Sequence, residues 1–518
     1  MHWFRRFWWL GFVTTLSIAP VLARAAIPEG VAAQLATAGR NGPRDLLDTL
    51  TEVLLTHPAL VATPADAAAL ARTAAQPVPD FVGANLPVYR EIAAKIIAAA
   101  PASQRDPVRR AVGQELTRYI ATDVRVMPPL QPDTIGNAAT QPPEAGAAGF
   151  RAGSFTIYPE VQAGTFFDDN IYATRTGHVA DLVGTISPSI AIQSNWNRNA
   201  LYAEVGTDLT GYATYGSENT IDWHSALEGR IDVGSNTRIL LGAQALKEHE
   251  DRSSPDAVEG FTPTPYWQLS GYAGVVHRFG DFNLRVAAAA ERLTFGNVEG
   301  ANGLIDNQDR NRNRYTIGVV LRDDARAGFR PFVEGLGDFR RYDRTTDDFG
   351  YQRNSDGYRA GVGALFRLTA DVSGQVFLGV MGRDYADPRF KPVTAIAADA
   401  DLRWQAGETT AVVVFVDRSI EETTLSGSPA YIYTVAGGRL EQGLLPDLTG
   451  FLRLAFARSD FQQVSRWDNE ADMSVGLRYF VTARTYVGAD YRYTQRVSGD
   501  SSVNFSRNEV FLVVGSEF

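Results

Sequence analysis

Tyr486–Phe518 alternates in character with a period of two, and that pattern leaves few folds open. Gly488, Asp490, Arg492, Thr494 and Arg496 alternate with Val487, Ala489, Tyr491, Tyr493 and Val497. A polar loop, Ser498–Ser502, follows. Asn508–Phe518 then sets Val510, Leu512, Val514 and Phe518 on one face. Glu509, Gly515 and Glu517 take the other, which Phe511 and Val513 share. Each strand therefore meets something apolar on one side and something mostly polar on the other.

Eighteen such segments are expected between Ser154 and Phe518, running from 154–166 to 506–518. Each is near the length that crosses a bilayer when tilted. Their connections alternate in kind. Asn195–Arg198, Gly234–Asn236, Gly280-Asp281, Ala370-Asp371 and Ala483-Arg484 are short turns. His249–Pro263, Gly296–Asn311 and Arg344–Arg353 are long and polar. Short turns at one end and long loops at the other build an antiparallel outer-membrane β-barrel. The expected fold class is all-β and transmembrane, with an α-helical segment in front. An even number of strands puts both barrel ends on the periplasmic side. Trp196, Phe279, Phe366, Trp404, Tyr479, Phe480 and Phe518 are expected in the girdle at that end. Tyr212, Trp223, Phe295, Tyr342, Tyr385, Tyr431 and Tyr493 are expected in the girdle at the other.

Composition agrees. The chain of 518 residues has no cysteine, which removes disulfides, thiol catalysis and thiolate metal sites. Its net charge of -10 comes without basic clusters, which argues against nucleic acid. Arg5-Arg6, the apolar Phe7–Leu22 and Ala23-Arg-Ala25 read as a signal peptide over 1–25. A helical periplasmic segment is expected over 26–125. Leu46, Leu50 and Val53 mark one helix, and Ala67, Leu70 and Ala74 a second. Ile92 and Ile96 mark a third, and Val108, Val112 and Leu116 a fourth. A Pro/Ala/Gly-rich linker over 126–152 separates this segment from the barrel over 153–518.

Phe166–Thr174 carries the string Asp168, Asp169, Asn170, Ile171, Tyr172; Asp181, Ile186–Trp196, Arg198 and Leu201 follow. This stretch resembles the outer-membrane β-barrel porins of the second type, and the resemblance covers roughly 150–518. Members occur mainly in proteobacteria, often beside genes for extracellular polysaccharide. The resemblance implies a passive conduit linked to export of exopolysaccharide or other envelope material. A general solute porin and a non-conducting structural or docking protein stay open as alternatives. A terminal aromatic strand also resembles outer-membrane barrels at large. There the last residue, here Phe518, is the sorting signal read by the insertion machinery.

Alternation assigns the lumen-facing positions, which set selectivity in a barrel. They are Glu204 and Asp208, Glu228 and Arg230, Arg285 and Glu291, Glu334, Asp338 and Arg340, Arg359, Arg478, Asp490 and Arg492. Arg367, Arg383, Asp472 and Arg496 share this reading. Both signs occur. Such charges either create fields across a watery pore or pair between strands and stiffen the wall. No enzyme, cofactor or metal is expected. His224 and Ser225 adjoin on one strand and so point to opposite faces. Asp168–Asn170 and Asp306–Asp309 offer oxygen ligands, but they suit turn chemistry better. Asp168–Asn170 is also a candidate for folding inward to narrow the pore. Expected partners are the outer-membrane bilayer, the barrel-insertion machinery, periplasmic export components reached through the helical segment, and polysaccharide or small hydrophilic solutes.

Overall fold

The computed structural model of the chain describes residues 27–41, 43–75, 86–101, 104, 105, 108, 112 and 149–517, save the single turn positions 197, 327, 370, 408 and 483. The expected signal peptide, most of the fourth helix and most of the linker lie outside these residues, and so does Phe518; the last linker residues, Phe150–Ala152, form a short strand paired to the barrel's first.

Ahead of the barrel lie α1 (Glu29–Asn41), α2 (Pro43–Thr56), α3 (Pro64–Ala75) and α4 (Leu86–Ala99). Helix α1 is an element that the spacing of apolar residues did not single out. Leu35, Leu46, Leu50, Leu70, Ile92 and Ile96 are fully buried in one core, together with Val108 and Val112. Three- and four-residue spacing is what lines up these side chains on one helix face. Thr63 caps α3: its Oγ1 accepts from the backbone of Asp66 at 3.2 Å and donates to the Asp66 carboxylate at 2.7 Å. No helix among the described residues is long and apolar enough to cross a membrane, which says nothing of strands.

The rest is a meander closed on itself. After the short β1 (Phe150–Ala152), the wall begins with β2 (Phe155–Asp168), β3 (Asp181–Ser194), β4 (Ala200–Tyr212) and β5 (Thr220–Val233). It continues through β6 (Thr237–His249), β7 (Pro265–Phe279) and β8 (Phe282–Phe295). A small hairpin, β9 (Val298–Gly300) with β10 (Gly303–Ile305), sits in the next loop. Then come β11 (Arg312–Asp323), β12 (Phe329–Tyr342), β13 (Ser355–Arg367), β14 (Val372–Tyr385), β15 (Val393–Gln405) and β16 (Thr410–Glu421). β17 (Tyr431–Leu445), β18 (Leu448–Phe461), β19 (Trp467–Phe480), β20 (Thr485–Ser498) and β21 (Phe505–Glu517) complete it. Every wall strand pairs antiparallel with its neighbours. β21 pairs back onto β2, from Glu160 opposite Glu517 to Asp168 opposite Glu509. The result is a closed antiparallel barrel of 18 strands. Closure removes the unpaired edge that lipid would not tolerate.

Side-chain parity separates two surfaces. Ile317, Leu378, Leu454 and Leu512 point outward and are exposed, as are their like-parity neighbours along each strand. Arginines, carboxylates and aromatics occupy the opposite face. Several inner aromatics lie over a glycine on the adjoining strand, as Tyr272 does over Gly242 and Tyr486 over Gly515. A Cβ at Gly242 would come within 2.0 Å of the Tyr272 ring. At the short-turn end Trp196, Phe279, Trp404 and Tyr479 are exposed on the outside as expected, and Phe366 shares their parity; Phe480 has the inward parity instead and packs with Tyr486, one residue of register away from the outer face.

The girdle at the long-loop end needs correction. Tyr212, Phe295, Tyr342, Tyr385 and Tyr431 share the inward parity: Phe295 is buried, and Tyr342 donates to Glu422 of the loop after β16. Trp223 and Tyr493 carry the outward parity as expected, and Trp267, Tyr315, Phe339 and Tyr358 are the other outer aromatics at that level. One residue of register separates the two sets, and a one-residue step reverses the face.

Candidate functional site

The charged inner wall, and what lies across its long-loop mouth, make up the site. Glu204, Asp208, Glu228, Arg230, Arg285, Glu291, Glu334, Asp338, Arg340, Arg359, Arg478, Asp490 and Arg492 all carry the parity opposite to the exposed apolar side chains. Many are paired. Asp338 receives the guanidinium groups of Arg314, Arg340 and Arg383, the Arg340 contact measuring 3.1 Å. Arg340 continues to Glu422. Arg492 holds Asp472 at 2.6 Å, and Arg359 lies 3.3 Å from Glu334 and 4.1 Å over the Phe377 ring. Arg230 meets Asp232 at 3.2 Å. Glu204 accepts from Tyr202 at 2.5 Å and faces His224 at 3.7 Å. Arg478 lies 4.5 Å over Tyr486, and Gln268 donates to Glu291 at 3.3 Å. His224 and Ser225 face opposite ways as expected. Asp222 bonds His249 at 2.7 Å instead.

The sequence placed a long polar loop at His249–Pro263, but alternation along a strand gave no sign that this loop, residues 250–264 between β6 and β7, spans the bore. Arg252 anchors its root, with a bidentate contact to the buried Glu218 at 2.9 and 2.7 Å. Arg310 donates to Glu250 at 3.0 and 2.5 Å. Its tip meets the far wall. Arg496 of β20 donates to the carbonyl of Ser253, and Arg466 to that of Pro255 at 3.2 Å. Arg507 of β21 stands 3.9 Å from Asp251. Asp256 accepts from the Thr423 hydroxyl at 2.8 Å and from the Thr424 amide at 3.2 Å. A barrel of this strand number and ordinary tilt has a backbone diameter of roughly 30 Å. A loop this long, run out and back at about 3.3 Å per residue, reaches most of the way, and long arginine side chains close the gap. Gly260 also bridges Gly300, and Phe261 donates to Glu299 at 2.6 Å, so the loop is braced sideways by the β9–β10 hairpin.

Asp168–Tyr172 does not narrow the bore. Asn170 is fully buried, donates to the carbonyls of Thr174 at 2.8 Å and Ser506 at 2.9 Å, and accepts from the Thr174 amide at 3.0 Å. Asp169 accepts from the backbone and side chain of Asn508 at 2.7 and 2.6 Å. Ile171 is buried, and Tyr172 packs edge-on against Tyr215. The string clasps β2 to β21 at the long-loop end of the closure seam. The physical reason is turn chemistry: short amide and carboxylate side chains satisfy backbone groups where a ladder ends. Asp306 likewise accepts from Gln308 at 3.1 Å and pairs with Arg344 at 2.5 Å; both contacts hold its carboxyl below the usual range.

Residues 142–518 match the family described as "Putative beta-barrel porin 2". Among solved structures the chain is similar to the outer membrane protein OpdK of Pseudomonas aeruginosa, at 12% identity and a TM-score of 0.39, covering 70% of this chain and 98% of that one. OccAB3 of Acinetobacter baumannii gives 12% and 0.38 over 70% and 99%. OccK9 (OpdG) of Pseudomonas aeruginosa gives 11% and 0.40 over 70% and 98%. No curated protein matches the chain.

Proposed function

Since the chain belongs to this family of β-barrel porins of the outer membrane, we propose that it is a passive channel for small hydrophilic solutes, with loop 250–264 as its size-limiting element. One observation carries the reading. A wall that is apolar outside and charged inside is crossed at one mouth by a loop pinned to the opposite side. Such a loop divides a wide bore into narrower passages, and fixed charges along them sort solutes by charge. Export of exopolysaccharide is the finer role implied by the resemblance. It would need the loop to leave the bore, so the strap weighs toward small solutes. The same reading puts the long loops outside the cell and the helices in the periplasm, where they would reach partners.

Purified protein in planar lipid bilayers tests this. Stepwise currents in potassium chloride are expected. Silence from both the full-length protein and a variant lacking loop residues 253–258 would overturn the channel reading and favour a docking role.

A further inference from the structure

One seam of the wall stops short. Strands β15 and β16 pair from Gln405 opposite Ala411 up to Ala398 opposite Arg418. The ladder ends there, although β15 runs on to Val393 and β16 to Glu421. Both strands keep their other neighbours: Val393 still faces Arg383 of β14, and Glu421 faces Tyr431 of β17. The parting has a cause in packing. Ile420 and Ile432 carry the outward parity, yet both are buried. They belong to one apolar cluster with Phe332, Phe377, Met381 and Val393, which carry the inward parity. The end of the β16–β17 hairpin therefore leaves the wall and lies against the inner face of β14 and β15. Arg340 of β12 donates to the Ile420 carbonyl at 3.5 Å, and Arg353 to the carbonyls of Thr423 and Ser428 at 2.9 and 2.6 Å.

What the hairpin leaves behind is a cleft on the lipid side of the seam, toward the long-loop end. One bank is the β16-facing edge of 393–397, which has no ladder among the described residues. Ile396 on that bank is 59% exposed. At the foot of the cleft stands Arg418, with the outward parity of the exposed Val414. Among the described residues no hydrogen bond or ion pair reaches its guanidinium, and its Nε is shut off from solvent. Other outward arginines near that mouth hold acids: Arg292 meets Asp343 at 2.5 Å, Arg341 Asp356 at 2.6 Å and Arg458 Asp460 at 2.6 Å. In lipid a polar group left without a partner is costly, whether backbone or guanidinium. The occupant must therefore bring acceptor oxygens to Arg418 and the free β15 edge, and apolar chains to Ile396 and Val414. A lipid with a phosphate head meets both demands, and the guanidinium fork matches phosphate oxygens two at a time. Arg418 is also in register with Thr434 and, beyond it, Arg458. Two strand spacings, about 10 Å, separate the two arginines, so one head group can meet both.

We propose that the β15–β16 cleft is a binding site for an anionic lipid of the surrounding leaflet, with its phosphate on Arg418 and its chains over Ile396 and Val414. The site faces lipid, so it stands whether or not the bore conducts. The chain has no cysteine, so Ile396→Cys in the full-length protein takes a single bimane label. In dodecyl maltoside micelles, which carry no phosphate, two nitroxide-chain lipids serve as quenchers. One is phosphatidic acid, and the other is diacylglycerol with the same chains. Phosphatidic acid is expected to reach half-quenching at a mole fraction at least about tenfold lower, the worth of one charge-assisted hydrogen bond. Arg418→Gln should bring the two lipids together, and Arg418→Lys should keep part of the gap. Arg418 has no partner to strand, so neither change breaks a contact within the wall. Equal quenching by the two lipids, or a gap that survives Arg418→Gln, overturns the site. So does a gap of the same size with the label at Val205→Cys, exposed on β4 across the barrel, because attraction would then be general. Sodium phosphate should not relieve the quenching. Relief would make a free anion the occupant and overturn the lipid site.

Discussion

The Thr423 hydroxyl donates to Asp256 at 2.8 Å, although the two residues enter the mouth from strands far apart around the wall. Thr423 follows β16, and Asp256 belongs to the loop between β6 and β7. The contact exists only because that loop runs across the bore. With Arg466, Arg496 and Arg507 it turns a loop into a strap.

Deleting residues 253–258 should raise single-channel conductance and admit larger neutral solutes. Current steps and the exclusion limit for polyethylene glycols are the measurement. Unchanged steps would mean that the passage is limited elsewhere.

The strap's surroundings should resist moderate acid. Burial alone would push the Glu422 carboxyl up, but Arg340, Arg383 and Arg312 pull it down to about 2. For Asp251 burial again raises, while Arg507 and the Ser253 amide lower, with a net value of about 2. A carboxyl depressed on folding stabilises fully above its unfolded value, and the contribution fades as pH falls through the folded one. The long-loop mouth should therefore hold above about pH 4.5 and loosen between there and about pH 2. Hydrogen exchange of residues 250–264 and 422–430 across that range checks this. In Glu422→Gln the acid-side change should shrink.

Asp338→Asn should be severe. It leaves Arg314, Arg340 and Arg383 facing one another around a buried group. Breaking a buried ion cluster this way costs about 3–5 kcal/mol. Urea unfolding in lipid vesicles, followed by tryptophan fluorescence, should show the shift. Removing one of the three like charges as well, in Asp338→Asn with Arg383→Met, should recover part of it.

Ile317 is 52% exposed on the outer wall near the middle of β11. In the bilayer that exposure is contact with lipid. Ile317→Arg should cost about 2–4 kcal/mol by the same assay, as arginine does near the midplane. A neutral result would mean that this face does not meet lipid.

Phe518 tests the sorting role. Its deletion should lower the yield of inserted barrel more than it changes the conductance of the barrels that do insert. Normal yield in cells would end that role.

Much of the wall was legible because alternation is local. The pleat forces Val510, Leu512 and Val514 to one side and Glu509 to the other, whatever the rest of the chain does. The same rule set the inward parity of Glu334, Asp338 and Arg340 on β12 and of Asp490 and Arg492 on β20. It failed for Phe295 and Tyr342 because aromatic character at a strand end says nothing of parity. Helix α1 was missed for another reason: its alanines and glycines leave a faint apolar stripe.

The sequence alone therefore determined an antiparallel wall with two faces, its strand number and its alternation of short turns and long loops, since each depends on residues a few positions apart. Only the tertiary structure decided which loop crosses the bore, that Asp168–Tyr172 clasps the β2–β21 seam, and that Arg314, Arg340 and Arg383 from three strands converge on Asp338. Those contacts join residues far apart in the chain. Closure of the barrel sets the distances between them, and no local pattern encodes them.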